Sequence, residues 1–182
     1  MTRKLIPVAL ALTLSASAAF ASDERKDFQI AKDVVSAVNR YAYFTIFDDV
    51  TIGVDDGVVT LDGKVTMPYK ADEIRKRVVK VDGVKEVQNR ISVLPVSSWD
   101  NELRYRIARA IYGNSNFWNY ATMPNPPIHI IVERGRVTLT GVVQSEVDRM
   151  LARSLATSFN AFSVKNELKT DAEVRAQVEK SQ

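Results

Sequence analysis

The architecture of this chain follows from a nine-residue pattern that occurs twice, as Gly57-Val-Val-Thr-Leu-Asp-Gly-Lys-Val65 and as Gly135-Arg-Val-Thr-Leu-Thr-Gly-Val-Val143. The alternating valines and leucine are typical of a strand with one buried face. Asp56-Gly57 at the start of the first copy favours a tight hairpin turn, which needs positive φ. Arg134-Gly135 occupies the same place in the second copy. The chain therefore contains an internal repeat built on a β-hairpin.

The repeat extends beyond the hairpin on both sides. Upstream, Val50–Val54 aligns with Ile128–Val132 at the same offset that relates Gly57 to Gly135. Downstream, Val87–Ile91 aligns with Val164–Leu168 only if the second copy has lost one residue before its last strand. Helical spacing of apolar residues predicts one helix before each hairpin and one after it. The predicted inner faces are Phe28, Ala31, Val34, Val35 and Val38; Ala71, Ile74, Val78 and Val81; Trp99, Leu103, Ile107 and Ala110; and Val147, Met150, Leu151 and Leu155.

Each copy is thus predicted to have the order α-β-β-α-β. A right-handed β-α-β crossover would give an α+β fold, with a small mixed three-stranded sheet and both helices on one face. The two modules span residues 27–95 and 98–170, and the linker between them is so short that they should touch. The aromatic stretch Tyr41–Phe47 is a candidate for the contact between them. Ser98 is the predicted cap of the third helix, and a capping box at Thr170 predicts a helical tail over residues 171–182.

The first 21 residues have the three regions of a secretory signal peptide. Arg3 and Lys4 are followed by an apolar stretch and by Ala19-Phe20-Ala21, which predicts export from the cytoplasm and cleavage after Ala21. Removal of this segment takes two of the 25 basic residues and none of the 22 acidic ones, so the remaining chain is nearly neutral. Such a chain is not suited to non-specific nucleic-acid binding. The absence of cysteine excludes disulfides and also a lipoprotein anchor.

The two copies of Gly-x-Val-Thr-Leu-x-Gly-x-Val, each followed by Val-x-Asn-x-Leu or Val-x-Asn-x-Ile, resemble the BON domain. The resemblance covers most of the chain after the predicted signal peptide. It implies kinship with osmotically inducible periplasmic proteins, and with it residence in the periplasm and a role in envelope maintenance or in the response to osmotic stress. It also implies binding to anionic phospholipid surfaces, or a periplasmic chaperone role.

The sequence offers no catalytic site and no metal or cofactor site. His129 is the only histidine, and it is expected at the surface or between the modules. The acidic pairs Asp48-Asp49 and Asp55-Asp56 lie at a strand entry and at a turn, where carboxylates commonly satisfy backbone amides. The glycines and asparagines that recur in both copies are interpreted as structural, the glycines through turns and close packing and the asparagines through bonds to the backbone. They are Gly57, Gly63, Asn89, Gly135, Gly141 and Asn166.

A candidate membrane-binding patch lies on the first helix of the second module and in the loop after it. A helical wheel places Tyr105, Arg109 and Tyr112 together, opposite Trp99 and Leu103. The loop of residues 114–127, which the first module lacks, adds Phe117 and Trp118. Tyr and Trp rings beside Arg suit a lipid headgroup interface. The sequence leaves open whether this loop is exposed or folds back into a local core.

Three functions follow as hypotheses. The first is a non-catalytic periplasmic protein that binds phospholipid or envelope surfaces. The second is a chaperone or adaptor for envelope proteins that grips extended polypeptide at sheet edges. The third is a polysaccharide-binding accessory protein in which aromatic rings stack on sugars. The oligomeric state stays open.

Overall fold

The computed structural model describes residues 16–180, with side chains described from Lys26 onward except for Val178 and Lys180. The predicted signal peptide lies largely outside these residues, and the predicted cleavage point at Ala21 falls within the first helix. The elements of the first module are α1 (Ala16–Asn39), β1 (Asp49–Asp55), β2 (Val58–Val65), α2 (Pro68–Val78) and β3 (Glu86–Val93). Those of the second are α3 (Ser98–Tyr112), α4 (Trp118–Ala121), β4 (Ile128–Glu133), β5 (Arg136–Val143), α5 (Glu146–Thr157), β6 (Ser163–Asn166), β7 (Lys169–Thr170) and α6 (Asp171–Lys180), with a 3₁₀ turn at Ser115–Phe117.

The first sheet has the strand order β1-β2-β3, with β1 antiparallel and β3 parallel to β2. A two-residue turn joins β1 and β2, and both of its residues, Asp56 and Gly57, have positive φ. The turn at Arg134 and Gly135 in the second module has the same conformation. The predicted hairpins and mixed sheets are therefore confirmed, as is the α+β class.

The second sheet repeats this order as β4-β5-β6 but has a fourth strand, β7, which also pairs with β5. This corrects the expectation of three strands. The offset between paired residues is the same for Arg136 with Ser163 as for Val142 with Lys169, so β6 and β7 are one interrupted strand. That offset is shorter by one than the offset of Val58 from Glu86 in the first module, which confirms the single-residue deletion.

Each module buries its own apolar core between its sheet and two helices. In α1 and α3 the buried residues align at one constant offset, which pairs Ile30 with Leu103, Val34 with Ile107 and Val38 with Ile111. Several residues assigned to inner helix faces are instead exposed, namely Phe28, Val35, Trp99, Val147 and Met150. In α5 the face toward the sheet carries the small Ala152 and Ala156, which allow close approach, so the larger side chains point outward.

The caps also differ slightly from expectation. Ser97, rather than Ser98, caps α3 by accepting a hydrogen bond from the Asp100 amide. The capping box before α6 is present, since Thr170 and Glu173 exchange side-chain to backbone hydrogen bonds of 3.3 and 2.7 Å. None of the helices within residues 16–180 is both long and apolar enough to cross a membrane.

Candidate functional site

The two modules meet where the segment Tyr41–Phe47 of the first lies against the second. The Ile46 carbonyl accepts a hydrogen bond of 2.7 Å from the amide of Ile130, on the free edge of β4. The Phe47 ring packs edge-on against Tyr105 at 5.1 Å between centroids. His129 lies beside Phe44, and its Nδ1 is 2.5 Å from the Asp48 carbonyl oxygen. The expected contact between modules and the interdomain position of His129 are therefore confirmed.

The free edge of β4 is also covered by two side chains of α3. The Tyr112 hydroxyl donates to the Ile128 carbonyl at 2.5 Å and accepts from the Ile128 amide at 3.1 Å. Burial raises the pKa of this phenol. Arg104 donates to the Val132 carbonyl at 2.5 Å. Assigning Tyr112 to a membrane-facing patch was therefore wrong, because its polar end is used inside the module.

Phe117 was also misplaced, because its ring is fully buried in the core of the second module. It stacks with Tyr120 at 5.8 Å between centroids. The Tyr120 hydroxyl accepts from the Gln144 amide at 2.8 Å, and burial raises its pKa. The loop of residues 114–127 is therefore partly packed, although Trp118 within it is 69% exposed.

Three of the five candidate patch residues remain at the surface: Tyr105, Arg109 and Trp118. Tyr105 is 63% exposed and lies one helical turn before Arg109. The Arg109 side chain has no hydrogen-bond or ion-pair partner within residues 16–180. These three residues supply one cation and two exposed aromatic rings.

A second surface, which the sequence analysis did not identify, lies on the first module between the end of α1 and α2. Its basic side chains surround an open hollow of about 420 Å³ that also contains Glu73. Lys76 pairs with this carboxylate at 2.7 Å, which leaves an excess of positive charge. We call this surface the cationic hollow; its basic residues are Arg40, Lys76, Arg77 and Lys80.

Exposed tyrosines adjoin the cationic hollow. The Arg77 guanidinium lies over the Tyr41 ring at 4.8 Å, and Tyr41, Tyr43 and Tyr69 form a series of edge-on contacts. Tyr43 is 63% exposed and Tyr69 51%. In the sequence the basic cluster Arg75-Lys76-Arg77 appears as an ordinary helix end, and only the fold brings Arg40 beside it.

Asp48, the buried member of the pair Asp48-Asp49, has a structural role. The Asp48 carboxylate is fully buried and accepts hydrogen bonds from Lys70 at 2.6 Å and from the amides of Thr66 and Thr45 at 2.7 and 2.9 Å. Burial raises the pKa of Asp48, but the hydrogen bonds from Lys70, Thr66 and Thr45 outweigh it, and the net pKa is lowered. Across residues 16–180, no cluster of three His, Cys, Asp or Glu side chains could hold a metal ion.

The asparagines of the closing motif bond to the backbone in both modules. The Asn89 side chain donates to the Ala71 carbonyl at 3.3 Å and accepts from the Ile91 amide at 3.2 Å. Asn166 donates to Arg149 at 2.9 Å and accepts from Leu168 at 3.3 Å. Each amide therefore ties the last strand of its sheet to the helix that packs above it.

Two aspartates that the sequence analysis missed hold the hairpin turns. Asp27 of α1 accepts hydrogen bonds from the amides of Asp56 and Gly57 at 2.8 and 2.9 Å. Asp100 of α3 accepts from Arg134 and Gly135, both at 2.8 Å. Asp27 and Asp100 are related by the same offset as the core positions of their helices, so they are equivalent residues of the repeat.

Comparison with protein-family models agrees with the two-module architecture. The family model described as BON domain matches residues 26–95 and 106–172. No curated protein matches the chain. Two solved structures of CdsD, a structural protein of the type III secretion system of Chlamydia trachomatis, are similar to it. The C-terminal domain has a TM-score of 0.34 at 17% identity, covering 81% of this chain and 69% of that one. The other has a TM-score of 0.27 at 13% identity, covering 81% and 97%. The chain belongs to the BON domain family and carries two copies of this domain in tandem.

Proposed function

We propose that this protein is a periplasmic binding protein of the cell envelope that docks peripherally on anionic phospholipid surfaces. The BON domain family is non-enzymatic, which accords with a binding role. The observation that carries the proposal is the cationic hollow, where four basic side chains and one carboxylate adjoin the exposed rings of Tyr43 and Tyr69. Phospholipid headgroups present phosphate at the depth where tyrosine rings insert.

The expected strength follows from the charges. A basic side chain near an anionic bilayer contributes about 1 kcal/mol. Four such side chains, offset by Glu73, would contribute about 3 kcal/mol, which supports reversible rather than permanent association. Because these charges are exposed, salt should weaken the binding strongly. The near-neutral net charge of the remaining chain makes the local hollow, rather than overall charge, the source of attraction.

The surface formed by Tyr105, Arg109 and Trp118 is proposed as a second membrane contact. The Arg109 guanidinium pairs with phosphate, and the Trp118 ring enters the boundary between headgroups and acyl chains. With one cation, this surface would contribute less electrostatic attraction than the cationic hollow. Its removal should therefore weaken binding less, and should do so with less dependence on salt.

Vesicle flotation tests the proposal. The purified protein should float with phosphatidylglycerol vesicles but not with phosphatidylcholine vesicles, and about 0.5 M salt, roughly three times physiological ionic strength, should release it. Arg40→Glu with Lys80→Glu should abolish flotation, whereas Arg109→Glu with Trp118→Ala should reduce it. Lys32→Glu with Arg153→Glu is the matched control for the first of these variants, since it changes the same charge at exposed positions outside both surfaces. Wild-type flotation by both test variants, or equal loss in the control, would show that these surfaces do not bind lipid.

Export is part of the same proposal. Cleavage after Ala21 would remove the start of α1, from Ala16 to Ala21, and leave Asp27 in place to hold the first hairpin turn. The mass of the protein recovered from the periplasm should correspond to Ser22–Gln182. Retention of the leader in a cytoplasmic product would contradict it.

A further inference from the structure

The two modules differ at the free edges of their sheets. The backbone groups of β4 that point away from β5 are hydrogen-bonded by Tyr112, Ile46 and Arg104. The side chains of Ile128 and Val132 are 0% exposed. The offset between the two hairpins makes Val50, Ile52 and Val54 of β1 the counterparts of Ile128, Ile130 and Val132. These three β1 residues are only half-buried.

The difference has a simple origin in α1. At the offset that pairs Val34 of α1 with Ile107 of α3, Ala31 stands where α3 has Arg104, and Asn39 stands where it has Tyr112. Neither residue supplies the side-chain hydrogen bonds found in the second module. Both β1 and β4 lead into a two-residue turn, so the pairing register is the same in the two hairpins. Val50, Ile52 and Val54 therefore direct their backbone N–H and C=O groups away from β2, as their counterparts in β4 do from β5. In the described part of the chain no loop backbone bonds to the outward groups of Val50, Ile52 or Val54.

The open edge of β1 borders, at Val50 and Ile52, a groove of about 680 Å³ between the modules. Its walls are largely apolar, with Val35 and Val38 of α1 on one side and Pro124 and Pro127 on the other. The Asn125 side chain bonds to the Asn39 carbonyl at 2.8 Å and holds the proline-rich loop across the end of α1. The groove therefore combines unpaired backbone groups with apolar surface.

We propose that this groove binds an extended, largely apolar polypeptide segment, which adds to the first sheet beside β1. The edge of the second module already makes one such backbone hydrogen bond, since the amide of Ile130 in β4 donates to the Ile46 carbonyl of the segment Tyr41–Phe47. Val50 to Val54 span about 13 Å of strand, enough for a segment of about five residues. Backbone hydrogen bonds would supply affinity, and the apolar walls would select side chains. This activity is separate from lipid docking, since the groove includes none of the basic residues of the cationic hollow.

The probe is a labelled synthetic peptide with the sequence of residues 41–48. It should bind the purified protein in fluorescence anisotropy, and NMR should show slowed exchange of the amides of Ile52 and Val54. Copies of the peptide N-methylated at alternate residues, one in each register, should bind at least tenfold more weakly in one register than in the other. This contrast separates strand addition from non-specific apolar adsorption, because adsorption would be equally strong for the two N-methylated peptides.

The decisive variant gives the first module the two side chains that hydrogen-bond to the strand edge in the second module. Ala31→Arg with Asn39→Tyr should close the β1 edge, reduce peptide binding at least tenfold, and leave the unfolding midpoint unchanged or raised. Gln29→Arg, which adds a guanidinium on the exposed side of α1, is the control and should bind peptide like the wild type. Flotation with phosphatidylglycerol vesicles should be the same in all three proteins. Failure of the wild type to bind the peptide, or undiminished binding by a folded double variant, would overturn the proposal.

Discussion

Asp100 tests how burial determines the contribution of a hydrogen bond to the free energy of unfolding of this protein. Its carboxylate is 1% exposed and accepts both turn amides, Arg134 and Gly135, at 2.8 Å. In Asp100→Ala these two donors lose a charged acceptor where water has little access. Hydrogen bonds to charged groups contribute about 1.5–3 kcal/mol each, so the variant should lose about 3–6 kcal/mol. Burial already lowers the pKa of the nearby Arg104 guanidinium, and loss of the Asp100 charge removes a partner that counters this.

The first module contains the matched comparison. Asp27 makes the same pair of hydrogen bonds to Asp56 and Gly57, but the bond to Asp56 is exposed to solvent. Water can replace the carboxylate there, so Asp27→Ala should cost only about 1–2 kcal/mol. Asp100→Asn, which keeps one acceptor oxygen but loses the charge, should fall between the two alanine variants.

Urea unfolding followed by far-UV circular dichroism measures these losses, and amide exchange at Gly57 and Gly135 reports each turn separately. The separate readout is needed because the two modules need not unfold in one transition. An equal cost for Asp27→Ala and Asp100→Ala would refute the reasoning that burial, rather than bond number, determines the difference. So would an Asp100→Ala protein in which Gly135 exchanges no faster than in the wild type.

Two further predictions concern the packed interior. The pKa of Asp48 is lowered in the native state, so its contribution to stability should be fully present above the unfolded pKa of about 4 and be lost as the pH falls through the lower native value. Asp48→Asn leaves buried Lys70 without its counter-ion and should cost about 3 kcal/mol at neutral pH. Urea unfolding at several pH values should also show that the loss of stability at acidic pH is smaller in this variant than in the wild type. Gly141→Ala should lower the melting temperature by at least about 5 °C, since the added Cβ would overlap the Pro127 carbonyl oxygen and the φ of this residue is positive. In Gly53→Ala the added Cβ meets no atom within 4 Å, so this control should melt like the wild type. Similar melting temperatures for the two alanine variants would contradict the close approach at Gly141.

The sequence predicted the architecture well because the repeat gives two independent readings of one fold. Turn residues, strand alternation and the one-residue deletion were all visible in aligned stretches. Helix faces were harder to predict, because apolar spacing alone places Val147 and Met150 inside, whereas the structure buries Ala152 and Ala156. Alanine has a weak apolar signal, but its small size determines how closely a helix can approach a sheet.

The candidate patch was only partly predictable for a different reason. A helical wheel gives the direction of Tyr112 on its own helix but not the position of the β4 edge, further along the chain, to which its hydroxyl bonds. Phe117 lies in a loop without a counterpart in the first module, so the repeat could not show that it is buried. Asp100 and Arg104 are polar residues buried by partners on the distant β4 hairpin, which an apolar pattern cannot indicate.

The differences between the modules bear on which one is available for binding. At the start of the second helix, the carboxylate of Asp48 accepts the Thr66 amide in the first module, while the neutral hydroxyl of Tyr120 accepts the equivalent Gln144 amide in the second. The second module thus uses aromatic residues of its own inserted loop where the first uses a buried ion pair. It also uses Tyr112, Arg104 and a segment of its neighbour to close its strand edge. Within the described residues no loop backbone covers the strand edge of the first module in this way, and the first module also carries the cationic hollow. One copy is therefore closed and the other has its edge and its charge exposed, so the proposed contacts with lipid and with extended polypeptide would come mainly from the first module.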